Sequence, residues 1–350
     1  KIIFDAIPHV VKAAIPAGIG LFIAFLGLQD AKLVIPSEST GVTLASFNLL
    51  GGAGWGAVMP LIVAVFSLLL IAVLSHKKVK GSILWGILGG TGLYYILGFT
   101  VKDFYKGFAE TLSFNPFKPF SAFASEAFGK VFTEGFDFSA YLSADGHSVG
   151  GLVILFITTA LAFCMVDMFD TLGTLYGACR GGNLLVKNDK GELEVPNMDR
   201  AMMADAVATC TGSVLGTSTV TTFVESSAGV AAGGKTGVTS LVTAAAFAVA
   251  LFFAPIAKLI PPYAYGAALI YVGVLMIGSV KDIDWKDVSV SVPAFLTIAM
   301  MPFTYNISYG IAFGLFSYVI IKAFCGEIKQ IKIGTWVVTA LFVAMFFLTH

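Results

Sequence analysis

The chain has 350 residues, 57% of them hydrophobic and only 12% charged, with a mean hydropathy of +0.89. Soluble domains average roughly 45–50% apolar and 25% charged residues, so this composition leaves too little polar surface to clothe a soluble core. A formal net charge of zero leaves no electrostatic footprint for a nucleic-acid partner, and the expected surroundings are a lipid bilayer.

Crossing a bilayer takes about 20 mainly apolar residues per helix. Such runs are predicted at 11–29, 55–75, 82–99, 149–179, 201–217, 236–257, 263–280, 288–305, 307–325 and 333–349. The long hydrophilic stretch 100–148 carries an amphipathic run, Ser121–Phe138, expected to lie along a membrane face. Between the fifth and sixth spans, 218–234 is too polar and too glycine-rich for an ordinary span. With residues 76–80 placed inside, Lys77, Lys78, Lys80, Arg180, Lys187, Lys190, Arg200, Lys235, Lys281, Lys286, Lys322, Lys329 and Lys332 all fall in inner loops, as the positive-inside rule asks. The segment 333–349 crosses or lies flat. A faint repeat relates Ala13–Asp30 to Ala264–Asp282, each opening a run of three spans. Inverted repeats are a common transporter architecture, with the site at broken helices near the midplane. If the repeat is complete, a block of about four spans is expected upstream of Lys1.

The fourth span reads FCMVDMFDTLGTLYG, and its Asp167, Asp170, Thr171 and Thr174 fall at i, i+3, i+4 and i+7, on one helix face. A carboxylate in mid-span costs about 2.5–3.5 kcal/mol on insertion scales, so it must face a partner or a wet cavity. Asp167 is the first candidate for contact with substrate or coupling ion, with Asp170 in support. The second constellation is Gly216–Gly237, GTSTVTTFVESSAGVAAGGKTG. Its β-branched Thr217–Val224 is poor helix material, and Glu225 precedes the small residues of a half-helix. Non-helical backbone at membrane depth is tolerated only where it lines a cavity or is buried in protein. A broken helix there would aim unpaired N–H groups and the positive end of a dipole at Glu225.

Weaker features complete the reading. Asp205 reads as an ion-pair or capping residue, and Lys258 as a snorkelling side chain. The glycines of Gly51–Gly56 and Gly89–Gly92 read as helix packing, and ATP-driven transport by this chain is not expected. Cys164, Cys179, Cys210 and Cys325 have no disulfide or metal spacing and read as small apolar fillers. No metal, cofactor or enzymatic activity is expected. An intramembrane aspartyl protease would carry its two aspartates on separate helices in a GxGD context, which the sequence lacks. A channel or structural protein would not need the half-strand ending in glutamate.

The DxxDTxGT of Asp167–Thr174 and the whole of Gly216–Gly237 resemble the AzgA-like purine permeases of the nucleobase–cation symporter-2 (nucleobase/ascorbate transporter) superfamily. Ala17–Ala31 and Pro293–Gly314 extend the resemblance over nearly the whole chain. It implies an all-α integral membrane protein with a UraA-type inverted-repeat fold, built of core and gate domains with a short half-strand in a broken helix. Residues 1–99 would form the first gate triplet, 100–148 a connector, 149–257 the second half of the core, and 258–332 the second gate triplet. Residues 333–350 would be an extra hydrophobic segment. The first half of the core, with a partner half-strand, would lie upstream of Lys1.

The resemblance places substrate contact on Asp167 and Glu225, with Ser218, Thr219, Thr221 and Thr222 of the half-strand facing the base. Asp170, Thr171 and Thr174 fall to proton coupling and support. The implied function is proton symport of hypoxanthine, guanine or adenine across the cytoplasmic membrane, with a homodimer as a possible assembly. The alternative is the same transporter type for xanthine, uracil, ascorbate or a small anion, or with a cation other than the proton. Asp30 and Tyr309 stand where the family commonly carries other polar residues.

Overall fold

The computed structural model describes residues 6–49, 52, 54–101, 104, 120–121, 123–135, 137–142, 149–187, 193–217, 220–223, 225–253 and 257–349. Helices dominate: α1 (His9–Asp30), α2 (Trp55–His76), α3 (Ser82–Gly98), α4 (Val149–Gly181), α5 (Met198–Leu215), α6 (Ser226–Ala231), α7 (Gly237–Phe252), α8 (Pro262–Met276), α9 (Val288–Thr304), α10 (Ile307–Phe324) and α11 (Ile333–Thr349). Among the described residues, His9–Asp30, Trp55–His76, Pro262–Lys281 and Ile307–Phe324 are long and apolar enough to cross a membrane, and α3, α7 and α9 are shorter apolar helices. Their outward faces stay apolar, with Leu241 71% and Phe324 90% exposed. Water would penalise such faces, whereas lipid accepts them.

Two hairpins that the all-α reading did not anticipate sit in connecting loops. β1 (Val34–Ser37) pairs antiparallel with β2 (Gly41–Leu44), Val34 opposite Leu44, and β3 (Val186–Lys187) pairs with β4 (Leu193–Glu194). Val34, Ile35, Val42 and Thr43 supply the β-branched side chains that favour the first ladder. The run Ser121–Phe138 is not one amphipathic helix. Its described part is a π-turn at Phe123–Ala127 and a single helical turn at Lys130–Thr133, and Gly129 N donates to Val214 O of α5 at 3.0 Å.

The described chain forms two compact units. The first holds residues 1–21, 122–231 and 276–350. Here Ala13, Ala14 and Ala17 of α1 pack against Ile283, Ala294 and Ile298. Small residues let helix backbones approach closely. A Cβ on Gly173 of α4 would stand 2.5 Å from Ile15 Cγ2 and Ile19 Cδ1, and one on Gly177 would stand 2.8 Å from Met276 Cε. α9 and α10 form a tight hairpin. Its turn is set by Tyr305, in the left-handed region at φ 56°, and by Asn306, whose Oδ1 caps α10 by accepting from Ser308 N at 2.9 Å. α11 folds as a helix against α10 and α4, with Val338 and Phe342 buried and Thr335 Oγ1 donating to Ala6 O.

The second unit holds 22–121 and 232–275. Ile71 packs with Ala267 and Ala268 of α8. One glycine from each half of the sequence repeat meets here: a Cβ on Gly27 would lie 2.5 Å from Gly266 O, and one on Gly266 would lie 2.8 Å from Gly27 O. Gly86 and Gly90 of α3 give the same close approach to Ile71 and Ser67 of α2.

Candidate functional site

Everything in this site belongs to the first unit. α4 is long enough to bring its polar face to the middle of the helix. Thr171 and Thr174 are fully buried, Asp167 and Asp170 are partly buried, and the Oδ1 atoms of both aspartates are buried with no hydrogen-bond partner among the described residues. A buried polar atom left unpaired costs about 1–3 kcal/mol, so such atoms point to a ligand that completes them.

α5 ends because Gly216 takes φ 73°, which closes the helix with its N–H on Ser213 O at 3.2 Å. From there the described residues Thr217 and Val220–Phe223 are non-helical and pair with no strand. The break in the helix expected at 218–234 is therefore present, while the half-strand forms no ladder among the described residues. Side chains hold the strip in place. Thr217 Oγ1 donates to Gly212 O at 3.2 Å, and Thr209 Oγ1 donates to Val220 O. Gly212 has no side chain because Val220 occupies that space. Helix α6 then starts, with Ala228 N donating to Glu225 O at 3.0 Å.

Asp205 ties these elements together. Its Oδ2 accepts from Thr171 Oγ1 of α4 at 2.8 Å, and its Oδ1 accepts from Thr222 Oγ1 of the strip at 3.1 Å. Thr171 and Thr221 hydroxyls lie 3.0 Å apart. Asp170 lies within electrostatic range of Asp167, Asp205 and Glu225. The expectation that Asp205 caps a helix or forms an ion pair is corrected: Asn197 stands at the start of α5, and Asp205 is a mid-helix acceptor for two hydroxyls. A sequence signal existed, since Asp205, Thr209 and Gly212 fall at i, i+4 and i+7 on one face.

The structure thus gathers Asp167, Asp170, Thr171, Thr221 and Thr222 around Asp205. Thr174 lies one turn beyond, its buried Oγ1 unpaired, and Ser227 Oγ of α6 is another buried, unpaired hydroxyl that the sequence reading missed. Glu225 is exposed. Ser218 and Thr219 lie outside the described residues. Cys164, Cys210 and Cys325 are exposed and Cys179 is partly buried, so three of the four are not core fillers.

One motif was passed over at the level of letters. Gly229–Thr236 reads GVAAGGKT, which satisfies the phosphate-loop pattern GxxxxGK[ST]. That loop needs a strand before it and a free backbone cradle ahead of a helix. Here Gly229 lies inside α6, which is preceded by the non-helical strip rather than a strand. The cradle is not formed.

Residues 1–313 match the permease family. A protein named as a permease in Methanocaldococcus jannaschii is 39% identical over 345 residues, covering 98% of this chain and 70% of the relative. The guanine/hypoxanthine permease PbuO of Bacillus subtilis is 37% identical, covering 99% of this chain and 72% of its own. The adenine permease AdeQ of Escherichia coli is 32% identical, covering 96% and 67%. These relatives are transporters, not enzymes. The chain belongs to the permease family, that of the nucleobase/ascorbate permeases.

Proposed function

We propose that the protein is a secondary active transporter that imports a purine nucleobase, hypoxanthine, guanine or adenine, by proton symport across the cytoplasmic membrane. The observation that carries this reading is the pair of buried, unpartnered carboxylate oxygens, Asp167 Oδ1 and Asp170 Oδ1, set beside a non-helical strip. The names of the guanine/hypoxanthine and adenine permeases support the substrate class.

A purine offers ring N–H donors, and hypoxanthine and guanine add a carbonyl acceptor. Asp167 and Glu225 accept from the ring, and the backbone and hydroxyls of 218–222 donate to the base. A wrong ligand leaves those groups unpaired, which supplies discrimination. A carboxylate in a low-dielectric site is also a natural proton carrier, which assigns coupling to the Asp170 neighbourhood. In this scheme 149–257 acts as core and 1–99 and 258–332 as gate, with the site exposed to alternate sides; a homodimer is the proposed assembly.

Uptake of labelled hypoxanthine, guanine and adenine by cells expressing the protein tests the reading. Asp167→Asn and Glu225→Gln are expected to lower uptake at least about tenfold, the worth of one lost charge-assisted hydrogen bond. Wild-type uptake by both variants would remove the assignment. Competition by unlabelled xanthine, uracil or ascorbate, with no competition by purines, would move the substrate to another class.

A further inference from the structure

α11 runs back along α10. Phe346 meets Tyr309 and Phe313 near the start of α10, with ring centroids 5.1 and 5.9 Å apart, and Trp336 stands across from Phe324 at its end. The seam between the two helices is not closed. It holds two cavities, of about 250 and 370 Å³, which share Phe316, Thr339 and Val343 and so form one groove. Thr339 donates its hydroxyl to Thr335 O at 2.7 Å, so apart from the Trp336 indole the lining side chains offer a guest no free donor. A nucleobase there would leave its polar groups unpaired, whereas a hydrocarbon chain would not.

The groove follows α10 from Ala312 to Phe324, a rise of about 18 Å at 1.5 Å per residue. One leaflet of the hydrocarbon core is about 15 Å deep, half of the whole. Its far end opens at the turn between the helices, 322–332, which carries Lys322, Lys329 and Lys332 against a single acid, Glu327. Lys322 pairs with that glutamate, and the side chains of Lys329 and Lys332 are exposed. Positive charge therefore stands at the mouth of an apolar groove, with Trp336 beside it, the residue type that settles at headgroup level.

We propose that this groove holds one acyl chain of an anionic phospholipid, whose headgroup meets Lys329 and Lys332 in the leaflet on the lysine side. Inside a bilayer no hydrophobic force draws a guest in, and the gain comes from packing. An empty groove forfeits dispersion contacts along its whole length, and a flexible chain recovers them. The groove is too slim to seat a further helix, about 10–12 Å across with its side chains. The basic turn favours an anionic headgroup over a zwitterionic one. None of the groove's residues belongs to the site around Asp205, so the proposal holds whichever base is carried.

The test weighs the intact protein by native mass spectrometry, released from detergent micelles that hold equal amounts of phosphatidylglycerol and phosphatidylcholine. Wild type is expected to retain phosphatidylglycerol at least about tenfold more often than phosphatidylcholine, and Lys329→Gln to lower that preference about fivefold, the worth of one lysine near an anionic surface. Ala340→Phe, which fills the groove, is expected to lower retention of both lipids at least about tenfold, as loss of a few buried CH₂ groups does. Ala246→Phe, on the exposed surface of α7, is expected to change neither. Equal retention of the two lipids by wild type overturns the proposal, and so does unchanged retention in Ala340→Phe. If Ala340→Phe fails to accumulate, the exposed Lys329→Gln decides, and an unchanged preference there overturns it. A dimer mass that disappears in Ala340→Phe while the lipid count stays the same would give the groove to a second copy of the chain, and would overturn it too.

Discussion

Asp205 is the residue on which the site turns, because it satisfies one hydroxyl from α4 and one from the non-helical strip with its two oxygens. Asp205→Ala strands the Thr171 and Thr222 donors. A buried unsatisfied group costs about 1–3 kcal/mol, so the variant is expected to melt at lower temperature in detergent and to lose uptake. Asp205→Asn keeps one carbonyl acceptor and an amide that a hydroxyl can accept from. It is expected to melt closer to wild type while still losing proton-coupled uptake. Equal melting of alanine variant and wild type would show that Asp205 does not fasten the strip.

A second aspartate behaves differently because it lies outside the membrane. Hydrogen bonds from Ser289 hold the Asp287 carboxyl below its ordinary value of 3.8, with Lys322 adding to the effect. A lowered value in the folded state means that the cap's contribution is present above the ordinary range and is lost as pH falls through the lowered value. Exchange protection of the Ser289 amide at the start of α9 is expected to fall in acid below pH 4. In Asp287→Asn that acid dependence is expected to disappear.

At the scale of elements, glycine contacts separate two kinds of position. Gly27 and Gly266 bring α1 and α8 of the second unit together backbone to backbone. Gly27→Val has no room, and the protein is expected not to accumulate in the membrane fraction. Gly229 lies within α6 with open space around it. Gly229→Ala is expected to leave hypoxanthine uptake within about twofold of wild type and to stabilise by about 0.5–1 kcal/mol, the helix preference of alanine. A working phosphate loop would be damaged by that change, so lost uptake would revive the nucleotide reading.

The elements also show what local pattern can and cannot convey. The predicted spans 55–75 and 307–325 differ from α2 and α10 by a residue at an end, since hydropathy over a helix length is a local property. The break after α5 was equally legible, because the β-branched run from Thr217 opposes helix whatever surrounds it. The hairpin at Val34–Leu44 was not, because a four-residue strand gives too short a pattern beside the long apolar runs.

For the whole molecule, the lysine distribution yields a labelling prediction. A cysteine introduced at Ser39, between β1 and β2, is expected to react with an impermeant maleimide from outside intact cells, and one at Lys78 only after permeabilisation. The reverse pattern would invert the topology. An inward proton gradient imposed on proteoliposomes is expected to drive hypoxanthine accumulation, and dissipating it is expected to abolish accumulation.

Composition and spacing by themselves determined that the chain lives in a bilayer, where its long apolar helices run, and that Asp167 and Asp170 share one helix face. These follow from transfer free energies and helix periodicity, which act over a few neighbouring residues. Only the tertiary structure decided that Asp205 joins them, through partners 34 residues away at Thr171 and 17 away at Thr222. The aspartates expected to meet substrate and proton are therefore held by a third one that sequence alone read as a cap. A hydrogen bond across such separations depends on where the backbone brings two side chains, and no local period records that.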